Sequence, residues 1–165
     1  MDERGFDEFY HSTRHRVVAF LYAMCGDREE AQDVAQEAYE RAWRRWSTLA
    51  SYDQPEAWVR KVGLRLSISR WHRARNRFSA YRRHGADSST EPPSENSVVV
   101  VAALRRLPAE LRLVTTLYYL LDLPVAEVAR QTGTPVNTVK ARLVRARAIL
   151  ADLLGAELNE ELHNA

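Results

Sequence analysis

The stretch from Leu123 to Leu150, LPVAEVARQTGTPVNTVKARLVRARAIL, constrains the fold of this chain more than any other. Apolar residues recur at helical spacing on both sides of Gly133. The stretch therefore reads as a short amphipathic helix over Pro124 to Gln131, a tight turn, and a second helix that continues to about Leu154. Glycine enters the left-handed turn conformation without strain, which makes Gly133 the expected corner. Thr134 is the expected N-cap and Pro135 the first residue of the second helix. This is a helix-turn-helix pattern.

On an ideal helix, Val136, Val139, Leu143, Ala146 and Leu150 cluster on one side and face inward. The opposite side presents Asn137, Thr138, Ala141, Val144, Arg145 and Ala148, flanked by Lys140, Arg142 and Arg147. Small or polar residues in the middle with cations at the edges suit the DNA major groove. Asn and Arg can read base edges there, while Lys and Arg hold phosphates. The amides at the start of this helix, near Asn137, can take a phosphate as well. The competing reading is a solvated basic face on a structural helix.

The formal net charge of +2 hides strong segregation. Residues 61–85 carry eight basic and no acidic residues, and residues 111–150 carry six basic and two acidic. Two basic blocks on a nearly neutral chain point to polyanion contacts at two places. Cys25 is the single cysteine, so an internal disulfide is impossible and a cysteine zinc site is disfavoured. No signal peptide or membrane-spanning run is legible, so a reducing cytoplasm is the expected location.

The rest of the chain also reads as helix, giving an all-α fold of two small domains joined by a flexible linker. Phe6 to Met24 forms a first helix, with Phe6, Phe9, Tyr10, Val17, Phe20, Leu21 and Met24 near one face. Gly26-Asp27 breaks it, and Asp27 with Glu30 resembles a capping box for a second helix running to about Trp46. Ala31, Val34, Ala35, Ala38, Ala42 and Trp46 form its stripe, small enough for close packing. Ser47 to Gln54 reads as a loop, and Pro55 opens a third helix to about Arg77 whose apolar stripe is Trp58, Val59, Val62, Leu66, Ser69 or Ile68, and then Trp71. Trp58 and Trp71 are more simply core residues, although aromatic residues among arginines also suit single-stranded nucleic acid. Residues 80–97, rich in Ser and Pro without large apolar groups at their centre, form the expected linker between domains 1–79 and 98–165. A helix from Val98 and another over Ala109 to Leu121 lead into the helix-turn-helix, and the acidic tail is expected to fray.

With these features in view, the chain resembles an extracytoplasmic-function sigma factor of bacterial RNA polymerase, over roughly Phe6 to Leu154. DVAQEAYERAW, from Asp33 to Trp43, is similar to the D-x-x-Q-E-x-F-x-x-A-W of the family's region 2. LPAELR from Leu107 and the Val125 to Leu150 stretch resemble region 4, with L-P-x-x-x-R and E-[IV]-A-x-x-x-G-x-x-x-x-T-V-K-x-R-L-x-R-A-R. The resemblance implies a non-enzymatic transcription-initiation factor with no cofactor or metal. Asp33, Gln36, Glu37 and Glu40 would bind the clamp of the largest core polymerase subunit, and region 4 the flap. Ser51, Tyr52, Asp53 and Gln54 stand where the family's loop takes a flipped base. Arg65, Ser69, Arg70, Arg73 and Arg75 stand on the helix that captures and melts the minus-ten element. Asn137, Thr138, Lys140, Ala141, Arg142, Val144 and Arg145 would read the minus-thirty-five element as duplex. An anti-sigma factor is a further partner the resemblance raises.

The sequence departs from the pattern in places. Many members have N-L-A-x-D where this chain has RLSIS, so Arg65 and Ser69 replace the usual Asn and Asp. Ala141 stands where Ser is frequent. Nothing after Leu154 resembles an added sensory domain. Two rival readings are a stand-alone helix-turn-helix regulator, which leaves Asp33 to Trp43 and the acid-free helix unexplained, and an enzyme using His11 and His15, four apart on one helix face.

Overall fold

Helix α1, Glu3–Cys25, is fixed at both ends by its own sequence. Asp2 accepts a hydrogen bond from the Gly5 amide at 3.0 Å. Gly26 turns the chain at φ 75°, and its amide donates to the Tyr22 carbonyl at 2.7 Å. In this computed structural model residues 2–76 and 94–164 are described, with side chains as far as residue 155. The chain divides into two units, residues 1–92 and 93–165.

In the first unit, α2 (Arg28–Arg44) begins at the expected cap, where Asp27 accepts from the Glu30 amide at 3.1 Å. Its alanine stripe is buried: Ala31, Val34, Ala35, Ala38 and Ala42 all face the core. Helices α1, α2 and α4 (Pro55–Asn76) pack pairwise on one another around Val17, Phe20, Leu21, Val34 and Val59. A Cβ on Gly63 of α4 would stand 2.8 Å from Leu21 Cδ1, so glycine there permits the close α1–α4 approach.

Two expectations fail in this unit. The segment read as a loop contains a short helix, α3 (Trp46–Leu49), because Trp46 and Leu49 are both buried and draw the backbone inward. Trp71 lies outside the core at 55% exposure. Its neighbour Arg70 faces α2, and one residue turns a helix by about 100°, which carries Trp71 away from that contact. Arg77 and the expected linker residues 80–93 fall outside the described residues.

In the second unit, α5 (Glu95–Arg105) starts earlier than the sequence suggests, since Ser94 accepts from the Ser97 amide at 3.2 Å and caps it. Arg112, the arginine of the LPAELR segment, closes the other end. Its guanidinium donates to the carbonyls of Leu104 and Arg105 in the last turn of α5 and of Leu107 just beyond it, at 3.0, 3.2 and 2.9 Å. The helix expected over Ala109 to Leu121 changes pitch. Residues Ala109–Thr115 form α6, and Thr116–Leu120 widen into a π turn with Leu121 N–H on the Thr116 carbonyl at 3.2 Å.

The Thr115 and Thr116 hydroxyls are buried beside this turn, with no hydrogen-bond partner among the described residues. Thr116→Val keeps the shape and removes the desolvated hydroxyl, so it is expected to stabilise this unit by about 1 kcal/mol. Urea unfolding followed by circular dichroism measures it. An unchanged or lowered midpoint would show that the hydroxyl is satisfied in solution.

Helix α7 (Val125–Thr132) ends at Gly133, which takes φ 62° as expected of the corner. Thr134 is not the cap of α8 (Val136–Asn164): its hydroxyl donates back to the Thr132 carbonyl at 3.3 Å. Pro135 supplies instead the carbonyl that receives the Val139 amide at 3.0 Å, so it stands at the helix edge rather than inside. The acidic tail does not fray at Leu154 but stays helical to Asn164, consistent with its Ala, Leu and Glu content.

Candidate nucleic-acid interface

Helix α8 is seated on α5, α6 and α7 through Val139, Leu143 and Ala146, all buried. Val136 was expected to join them but is 40% exposed at the first turn, where the chain is still leaving the corner. The opposite side carries Asn137, Lys140, Ala141, Val144, Arg145 and Ala148, all exposed, with Thr138 and Arg142 half-buried at its borders. Arg142 reaches Glu110 of α6 at 3.6 Å, and Arg147 donates to the Tyr119 hydroxyl at 3.0 Å. These two are tied to the body of the unit. Among the described residues no ion pair or hydrogen bond holds the Arg145 or Lys140 head groups, which project into solvent. An exposed strip of small side chains bordered by cations fits a major groove.

In the first unit, Asp33, Gln36, Glu37 and Glu40 lie together on the outer face of α2. With Arg41, Arg44 and Arg70 they line a cleft of about 480 Å³. Arg41 donates to one Glu37 oxygen at 2.7 Å and Arg70 of α4 to the other at 2.8 Å, while Arg70 also stands 3.7 Å from Glu30. The Arg70 hydrogen bond, helped by Arg41 and opposed by burial, holds the Glu37 carboxyl below its usual value. Glu37 thus stays charged, and its contribution is lost only in acid as pH falls through that lowered value.

The residues grouped on α4 by the resemblance do not share one face. Arg65 and Arg75 project outward, Arg73 donates to Ser69 at 3.2 Å on a flank, and Arg70 is turned onto α2. Ser51, Tyr52, Asp53 and Gln54 are exposed between α3 and α4. The sequence reading did not single out Lys61 or His72 and offered Ile68, as the alternative to Ser69, for the inward stripe; Ile68 is 49% exposed, and steps of three and four from Arg65 place all three beside Arg65 and Arg75. The same reading put Arg44 on the same polar face of the second helix as Asp33, Gln36, Glu37 and Glu40 but missed Arg41 in the cleft. Among the described residues no group of three or more His, Cys, Asp or Glu could hold a metal ion, and no helix is long and apolar enough to cross a membrane.

Comparison with known proteins bears on both units. Residues 9–78 match the family model for sigma-70 region 2, and residues 97–150 that for sigma-70 region 4. The ECF RNA polymerase sigma factor SigL of Mycobacterium tuberculosis is 31% identical over 86% of this chain and 86% of its own length. This chain belongs to the ECF family of RNA polymerase sigma factors. The sigma-H factor of Pseudomonas aeruginosa is 26% identical over 96% of this sigma factor and 91% of its own length. For the fold, the sigma factor RpoE of Bartonella quintana, solved with the anti-sigma factor NepR, superposes at a TM-score of 0.72. That match has 21% identity and covers 94% of this chain and 98% of that one. CnrH, solved with the cytosolic domain of CnrY, gives a TM-score of 0.67 at 23% identity, covering 93% of this chain and 90% of that one. Membership makes this sigma factor a component of promoter-specific transcription initiation that acts with RNA polymerase.

Proposed function

We propose that this sigma factor reads the minus-thirty-five element as duplex with the outer face of α8 and captures and melts the minus-ten element with α4 and the Ser51–Gln54 loop. Asp33, Gln36, Glu37 and Glu40 would dock on the clamp of core polymerase, and the second unit on the flap. The observation that carries the reading is the exposed strip Asn137, Lys140, Ala141, Val144 and Arg145 on a helix seated by Val139, Leu143 and Ala146. Melting follows a physical logic: unstacked bases enter protein pockets while arginines hold the backbone, so binding energy offsets unpairing. The proposed division of labour is a first domain, residues 1–79, and a second domain that opens with α5 at its Ser94 cap, with the residues between them as the linker. An anti-sigma factor, the kind of partner named for RpoE of Bartonella quintana, is proposed as its inhibitor.

The test is run-off transcription by core polymerase with this protein on fragments of its own genome. Arg145→Ala is expected to lower specific transcripts about tenfold to a hundredfold, the worth of one good base contact, without changing core affinity. Gln36→Ala with Glu37→Ala is expected to weaken core binding instead. No transcript, with tight duplex binding by the protein alone, would favour a stand-alone regulator.

A further inference from the structure

Away from the core, α4 carries a strip that the family pattern only partly covers. Lys61, Arg65, Ile68, His72 and Arg75 follow one another at steps of three and four and are all exposed. Trp71 stands at its edge, 55% exposed, one turn beyond Ile68 at 49%. The Arg75 guanidinium carbon lies 5.2 Å from the centre of the Trp71 ring, and the His72 ring meets Trp71 edge-on at 5.2 Å. Residues 61–76 contain five basic residues and no Asp or Glu.

A single exposed apolar side chain needs no explanation. Two large ones a turn apart, in a cationic and acid-free setting, are a different matter. The charge repels a basic protein surface and attracts a polyanion. Within a polyanion, the ring face matters. A paired base hides its π-face in the stack, whereas an unpaired base offers it to an aromatic side chain. With the guanidinium of Arg75 over one face of the indole, the other can meet a base, and the cation strengthens the sandwich.

We propose that Trp71 stacks on an unpaired base of the strand that α4 holds, with Arg75 backing the ring and Arg65 and Lys61 following the phosphates. This rests on the reading of α4 as the minus-ten helix and adds the residue that grips a separated base.

The experiment uses holoenzyme assembled from core polymerase and the full chain. The probe is a minus-ten single strand carrying a fluorescent adenine analogue at one position at a time. Wild type is expected to quench one position. Trp71→Ala should abolish that quenching and raise the dissociation constant for the strand about tenfold, with Trp71→Phe recovering much of both. Binding of fully paired duplex should change less than about twofold, because stacking needs an open base. Unchanged quenching and affinity in Trp71→Ala, with wild-type holoenzyme still initiating at its promoter, overturns the stacking and leaves the sigma reading intact. Equal losses on single strand and duplex overturn it too. Failure of the wild-type holoenzyme to initiate at any promoter removes the sigma reading, and the stacking with it.

Discussion

Replacing Glu56 by alanine is expected to destabilise the first unit by about 3 kcal/mol. The reason lies in Arg60, whose side chain is only 4% exposed inside a helical core. Its Nη1 lies 3.3 Å from Glu56 Oε1, and its guanidinium carbon 5.9 Å from the centre of the Phe20 ring. The same carboxylate oxygen accepts from Arg16 Nε of α1 at 3.1 Å, so one group serves a buried cation and a helix contact together. Taking the carboxylate away leaves a desolvated guanidinium without that countercharge, which costs more than the pair itself contributes. Glu56→Gln keeps an acceptor and should lose less. Trp43, Trp46, Trp58 and Trp71 are the four tryptophans and all belong to this unit, so tryptophan emission in urea follows its unfolding alone. A loss well below about 1 kcal/mol would show that other groups satisfy Arg60 without Glu56.

In the second unit the largest effect is expected from Leu143→Ala, about 3 kcal/mol of stability. Leu143 is 3% exposed, between Val139 and Ala146, both fully buried, and together they seat α8. The cavity would loosen the helix that presents Arg145. Minus-thirty-five-dependent transcription should therefore fall at least as far as in Arg145→Ala, and at lower temperature than the wild-type loss. Its neighbour Val144, 57% exposed, provides the control: Val144→Ala should shift stability by no more than about 0.5 kcal/mol. Circular dichroism melts of both variants separate seat from reading face. Equal shifts would mean that α8 is rotated from the orientation described.

Much of the local structure was legible in the residues. Gly133 took the left-handed corner, Asp27 capped α2, and the alanine stripe from Ala31 to Ala42 turned inward, because each depends on backbone sterics or on a period of 3.6. The outer face of α8 followed from the same period. The membership in the sigma family came from motif order, and comparison with known proteins established it. Where single residues decide a boundary, the reading slipped: Ser94 capped α5 ahead of Val98, and Pro135 rather than Thr134 stood at the edge of α8.

What the chain alone did not disclose depends on neighbours distant in sequence. Trp46 and Leu49 form a helical turn because a core assembled elsewhere receives them. Arg60 is buried because Glu56 and Phe20 meet it there. Arg70 sits by sequence among the arginines of α4, the proposed minus-ten helix, yet its guanidinium lies on Glu37 of α2, and only the packing of α4 against α2 turns it that way. Trp71, one residue on, is rotated out to solvent by the same packing. Periodicity fixes which residues share a helix face, and the tertiary contact then decides which face is inside.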